Sequence, residues 1–149
     1  MLFLGPPGLG KSHLAQAIGL QAIKMGFTVL YRSIFDLVRG LQAERSPSEL
    51  DRLMDRHLKV DLPIVDDMGL KTLPPKAGEI LLELVMRRYE NRSTLMTSNR
   101  PIEERGKLIN DVPAAAAILD RFLHHAEVIK FTGKSYHLDR AARAQKAAA

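Results

Sequence analysis

The run Gly5-Pro6-Pro7-Gly8-Leu9-Gly10-Lys11-Ser12 constrains this chain more than any other feature. It satisfies G-x-x-x-x-G-K-[ST], a spacing in which backbone N–H groups cradle phosphate oxygens, the lysine reaches the β and γ oxygens, and the hydroxyl ligates magnesium. Glycines let the backbone curl round an anion without a Cβ clash, and a helix opening at Ser12 aims the positive end of its dipole at the same phosphates. The flanks agree with this reading. Met1-Leu2-Phe3-Leu4 reads as an apolar strand, and Leu14, Ile18, Ala22 and Met25 recur at helical spacing as one apolar stripe that Gly26 ends. Gly5 to Ser12 is therefore expected to hold a nucleoside triphosphate with Mg2+. Gly133-Lys134-Ser135 looks similar, but Val128 stands where its first glycine should fall, so it is not read as a second loop.

Short apolar, β-branched runs recur at Met1–Leu4, Thr28–Tyr31, Leu62–Val65, Ser93–Thr97 and Glu127–Phe131. Helix-period segments separate most of them, which predicts an α/β domain with a parallel sheet and crossover helices. Ser33 to Leu41 and Ser48 to Leu58 read as helices, the second opened by Ser46-Pro47 or by Ser48 with Glu49 and Asp51 nearby. From Glu79 to Tyr89 the apolar positions cover a face wide enough to pack on a sheet. Pro63 belongs at a strand's start or edge, so the third strand is expected to begin near Ile64. The alanine-rich basic residues 139–149 read as a tail after one domain spanning 1–138.

Composition excludes some chemistry. The chain has no cysteine, hence no disulfide framework, thiolate zinc site or cysteine nucleophile, which is compatible with a reducing cytoplasm. The longest apolar stretches, such as Ala114 to Leu119, are far too short to span a membrane. A net charge of +5 permits contact with nucleic-acid phosphates without requiring it. Arg87, Arg88, Arg92, Arg100, Lys71 and Lys76 would supply that charge around the middle strands.

Asp66-Asp67 closes an apolar strand, placing carboxylates at the sheet edge where the phosphate loop lies. Asp66 is the candidate magnesium anchor together with Ser12, and Asp67 the candidate group that orients or deprotonates an attacking water. The alternative is an ordinary turn into Met68-Gly69. Asn99, after the strand Ser93–Thr97, either holds that water or senses the γ-phosphate, or simply ends the strand before Arg100-Pro101. Arg121 is either the surface ion-pair partner of Asp120 or a transition-state arginine for a neighbouring subunit. His124 and His125 adjoin and face different directions on a helix, a poor arrangement for zinc.

These residues form a wider pattern: Gly5 to Ser12 followed by His13-Leu14-Ala15, Asp66-Asp67-Met68-Gly69, Thr97 to Pro101, Asp111-Val112-Pro113, Ile118 to His125, and Gly133-Lys134-Ser135-Tyr136. Together they resemble the IstB-like transposition helper ATPases, relatives of the DnaC-like helicase loaders, from Met1 to about Leu138. The resemblance implies an AAA+ P-loop NTPase in three layers, sheet order 5-1-4-3-2, without a lid domain. It implies ATP-dependent assembly as a homo-oligomer on duplex DNA, without sequence preference, and stimulation of a partner transposase. By the same route Lys11 and Ser12 take the Walker A roles, Asp66 and Asp67 the Walker B roles, Asn99 sensor 1 and Arg121 the inter-subunit arginine. Family members carry a region before the first strand, whereas Met1 stands four residues before Gly5, so that region is expected to be missing here. They also commonly have tryptophan where this chain has Arg105.

Other classes compete with this reading. A helicase loader shares the chemistry and differs in its partner. A small-molecule P-loop kinase would need an arginine-bearing lid and a substrate pocket. A GTPase would need an Asn-Lys-x-Asp guanine reader, which this chain does not contain. An inert fragment that binds nucleotide or nothing is the non-enzymatic alternative.

Overall fold

The computed structural model describes residues 1–43, 46–68, 77–89, 91–99, 117, 124 and 126–136. Chain order is β1 (Leu2–Leu4), α1 (Lys11–Lys24), β2 (Val29–Ser33), α2 (Ile34–Ala43), α3 (Pro47–Lys59), β3 (Leu62–Met68), α4 (Ala77–Arg88), β4 (Leu95–Ser98) and β5 (Val128–Lys130). All pairings are parallel, and the strands lie side by side as β2-β3-β4-β1-β5, the order implied by the resemblance.

Consecutive strand residues point to opposite faces, and both faces of this sheet are covered. Phe3, Ile64 and Leu95 pack with Ala15 of α1 on one side. Their neighbours Leu2, Val65 and Met96 pack with α2, α3 and α4 on the other, against Leu37, Val38, Leu41, Met54, Leu81 and Leu84. That gives three layers, with every strand's C-terminal end at one edge.

Helix starts follow their capping chemistry. Ser46 Oγ accepts from the Glu49 N–H at 3.3 Å and Pro47 occupies the first turn of α3, where a missing N–H costs nothing. Ser33 Oγ accepts from the Asp36 N–H at 3.1 Å and caps α2 in the same way.

Two expectations need correction. β3 begins at Leu62, with Pro63 inside it opposite Leu30. Pairing to β4 starts only at Ile64 with Leu95, so Pro63 has a strand neighbour on one side only, the edge-like setting a proline tolerates. The face of α1 that meets the sheet is also different: Lys11, Ala15 and Gly19 are buried, Ile18 and Ala22 half-buried, and Leu14 and Met25 exposed. The lysine sets the phase, since a helix whose first residue turns into the site turns positions four and eight later inward too. Small residues there allow a close approach, and a Cβ on Gly19 would stand 2.9 Å from Ile64 Cδ1.

Candidate functional site

The loop between β1 and α1 ends in Gly10, left-handed at φ 81°, which caps α1 at the turn into Lys11. Its start is tied to the next strand by the Gly5 N–H donating to Ser98 O at 3.2 Å. Lys11 is buried, and its ammonium folds across the loop to donate to Pro6 O at 2.7 Å. Burial pushes the lysine pKa down, and the Asp66 and Asp67 carboxylates oppose that shift. Lysine and carboxylates thus share one small region.

Asp66 is buried and is held by three hydroxyls. Ser12 Oγ donates to its Oδ1 at 2.9 Å, Thr97 Oγ1 donates to the same oxygen, and the Tyr31 phenol donates to Oδ2. Burial first, and then this bond to Asp66, push the Tyr31 pKa up to about 12, so the phenol remains a donor.

Asp67 would face away from Asp66 in a regular strand. It does not, because the strand is irregular here. Val65 pairs with Met96 and Met68 with Ser98, so three steps on β3 match two on β4. Asp67 takes up the mismatch at φ 63°, the only positive φ outside glycine among the described residues. Its N–H donates to Thr97 Oγ1 at 3.1 Å. Such a bulge re-aims a side chain, and at this position it brings two successive carboxylates towards one site. Burial, and then the neighbouring Asp66 charge, raise the Asp67 pKa, while Lys11 and a hydrogen bond with the Asn99 side chain pull it down. The structure therefore brings Lys11, Ser12, Asp66, Asp67 and Asn99, all singled out from the sequence, to one edge. Sequence reasoning missed Tyr31 and Thr97, whose signal is positional. β2 and β4 flank β3, so the polar residues near their C-terminal ends are the ones that can reach its carboxylates.

The donor set suits a hard cation. Asp66 and Ser12 offer oxygen only, the ligand type that magnesium takes alongside phosphate oxygens. Arg121 and Asp120 lie outside the described residues, as do Arg105, His125, the segment Asp111 to Pro113 and the expected tail. His124 Nδ1 meets Tyr89 OH at 2.7 Å.

The expected basic face changes. Arg88 is interior, and its guanidinium is spent on backbone carbonyls. Arg92 donates to Lys59 O at 2.7 Å and lies 3.5 Å from Asp61. Arg87 pairs with Glu83 at 2.7 Å on the exposed side of α4, and Lys71, Lys76 and Arg100 lie outside the described residues.

The raised pKa of Asp67 makes its charge a cost to the fold. A carboxyl whose folded pKa lies above its unfolded one adds stability below the unfolded pKa and loses it as pH rises through the folded pKa. Asn is also, after glycine, among the residues that best tolerate a left-handed backbone. Asp67→Asn is therefore expected to raise the melting temperature at pH 7, the gain fading in acid. Melting curves at pH 7 and pH 3.5 check it, and a variant that melts lower at pH 7 would refute the electrostatic account.

Comparison with known proteins places the chain among ATP-binding relatives. The family model described as IstB-like ATP binding protein matches residues 1–144. A putative ATP-binding protein of insertion sequence IS5376 from Geobacillus stearothermophilus is 38% identical over 138 residues, covering 93% of this chain and 55% of that protein. The chain spans about half the length of the curated relatives it matches. Among solved structures, DnaI superposes with TM-score 0.72 at 25% identity, over 90% of this chain and 71% of that one. The DnaC helicase loader gives TM-score 0.71 at 22% identity, over 89% of this chain and 77% of that one, a likeness of fold. No helix among the described residues is long and apolar enough to cross a membrane.

Proposed function

This chain belongs to the IstB-like ATP-binding protein family, and from that membership we propose that it hydrolyses Mg-ATP as a DNA-bound homo-oligomer serving an insertion-sequence transposase in the cytoplasm. The observation that supports an ATPase most is the meeting of Lys11, Ser12, Asp66, Asp67 and Asn99 at one sheet edge. Lys11 and the N–H groups of Gly8, Leu9 and Gly10 hold the phosphates, with the lysine ammonium moving from Pro6 O to the β and γ oxygens. Ser12 and Asp66 are the residues that would hold magnesium, which would neutralise charge on those oxygens. Asp67 accepts the proton of the attacking water, a task for which a raised carboxylate pKa is better matched than an ordinary one. Asn99 steadies Asp67 and the water beside it. The γ-phosphorus gains the bond to the water oxygen and loses the bond to the bridging oxygen, leaving ADP and phosphate. Arg121, carried over from the family pattern, completes the site from the neighbouring subunit.

The DNA contact rests on family membership rather than on a basic patch, and is expected to be independent of sequence and weakened by salt. The test measures ATP turnover with and without duplex DNA at two salt concentrations, for wild type, Arg121→Ala, Lys11→Ala and an equal mixture of the two variants. DNA should raise turnover at low salt, each variant alone should be nearly inactive, and the mixture should recover part of the rate by pairing one intact P-loop with one intact arginine. Turnover indifferent to DNA would refute the DNA-dependent assembly, and an Arg121→Ala variant as fast as wild type would return that arginine to Asp120. The likeness in fold to the DnaC helicase loader supports a second reading, loading of a replicative helicase. Co-purification with a transposase rather than a hexameric helicase separates the two.

A further inference from the structure

Gly133-Lys134-Ser135-Tyr136 is not a second phosphate loop, yet it lies against the first one. The segment leaves β5 at Phe131, whose N–H donates to Leu4 O at 2.7 Å and whose ring meets Phe3 at a centroid distance of 5.2 Å. It ends at Tyr136, whose N–H donates to Gly8 O at 3.0 Å. Between these anchors Ser135 packs on Gly8 so closely that a Cβ there would stand 2.2 Å from Ser135 Oγ, and Gly8 has φ 82°. Gly133 faces Leu9, which would lie 3.9 Å from an added Cβ. The six residues after the last strand are thus held at their first end to β1 and at their last end to the middle of the phosphate loop. Tyr136 is 65% exposed at the end of this clasp.

The sheet order says which part of a nucleotide this segment meets. Asp66 and Asp67 stand at the end of β3 and Asn99 follows β4, both strands on one side of β1, whereas β5 lies on the other. With the reacting γ-phosphate turned towards the carboxylates, the nucleoside end must leave the loop on the β5 side. We propose that Ser135 and Tyr136 form the nucleoside wall of the site, the Tyr136 ring stacking on the purine. This rests on the P-loop reading above and adds to it the residue that holds the base. Stacking uses the π-face that every base has, so the wall contributes affinity without separating adenine from guanine.

The test is calorimetric binding of ATP, GTP and inorganic tripolyphosphate, each with magnesium, to wild type, Tyr136→Ala and Tyr136→Phe. Base–aromatic stacking corresponds to roughly five- to a hundredfold in affinity. Tyr136→Ala should weaken ATP and GTP alike by about tenfold, leave tripolyphosphate unchanged, and be restored by Tyr136→Phe. Equal weakening of ATP and tripolyphosphate would mean that Tyr136 only seats the loop, and unchanged ATP affinity would mean that it touches nothing; either result overturns the proposal. A wild-type chain that binds no tripolyphosphate would instead overturn the P-loop reading, and this wall with it.

Discussion

Replacing Arg88 by alanine is expected to cost about 3–5 kcal/mol of folding stability, although the residue lies far from the nucleotide site. The side chain is 3% exposed and carries a full charge into the interior. Its Nη1 donates to His57 O, Leu58 O and Val60 O at 3.0, 2.8 and 2.9 Å. Nη2 donates to Asp61 O at 3.1 Å and Ser93 O at 2.6 Å, and Nε to Thr94 Oγ1 at 3.1 Å. The helix-end carbonyls of α3 are among those that have no partner within their own helix. One guanidinium therefore joins the end of α3, the entry to β3 and the entry to β4. Burial, and then the neighbouring Arg92, bring its pKa down to about 10, with Asp61 opposing, and the group remains charged at neutral pH. Alanine would leave several buried carbonyls unpaired, and Arg88→Lys would rescue little, because three donors on a point charge cannot replace a planar fork of five. Urea unfolding of Arg88→Ala, Arg88→Lys and Arg87→Ala checks this. Arg87→Ala loses only an exposed pair with Glu83 and should shift stability by less than about 0.5 kcal/mol. If Arg88→Ala behaved like Arg87→Ala, the buried clamp would not be holding these three elements together.

Arg88 also marks where sequence reasoning stops. An arginine on the helix before a strand reads as surface charge, because nothing local says that four of the five carbonyls converging on it come from about thirty residues away. The phosphate loop was legible because its chemistry is local: the strand, the glycines, the lysine and the helix start are all within one short run. The alternation of strands and helices was legible from apolar runs, whereas the strand order came through the family resemblance and not from periodicity. Asp66, Asp67 and Asn99 were legible as polar ends of apolar strands, but the reason two adjacent carboxylates share one site was not. That depends on Asp67 adopting φ 63° at a register shift against β4, which no spacing rule encodes. Tyr31 and Thr97 were missed for a related reason, since each becomes part of the site only once its strand is laid beside β3. The inward face of α1 was misread because hydrophobicity alone pointed to Leu14 and Met25, while the phase of the helix is set by Lys11 and the close packing by Ala15 and Gly19.

Lys11→Ala should lower Mg-ATP affinity by at least about a hundredfold while leaving the fold in place. The lysine makes a single hydrogen bond to protein among the described residues, to Pro6 O, so its removal takes little from the folded chain. Its larger interaction is electrostatic. Burial disfavours its charge, yet it lies near the carboxylates of Asp66 and Asp67, whose repulsion of an incoming triphosphate it offsets. Without it, the same buried site presents two acidic groups to a polyanion and only backbone N–H groups to hold it. Asp66→Asn acts in the opposite sense on charge. It lightens the repulsion and keeps one oxygen for the hydroxyls of Ser12 and Thr97, but it turns an NH2 donor towards the Tyr31 phenol and gives up the anionic charge that suits magnesium. Binding should therefore survive Asp66→Asn within about tenfold while turnover is lost. Calorimetry on both variants, with melting curves to establish that each is folded, separates the two effects. Equal ATP affinity in wild type and folded Lys11→Ala would rule out the P-loop as the nucleotide site, and an Asp66→Asn variant that turns over ATP at the wild-type rate would remove that carboxylate from the reaction.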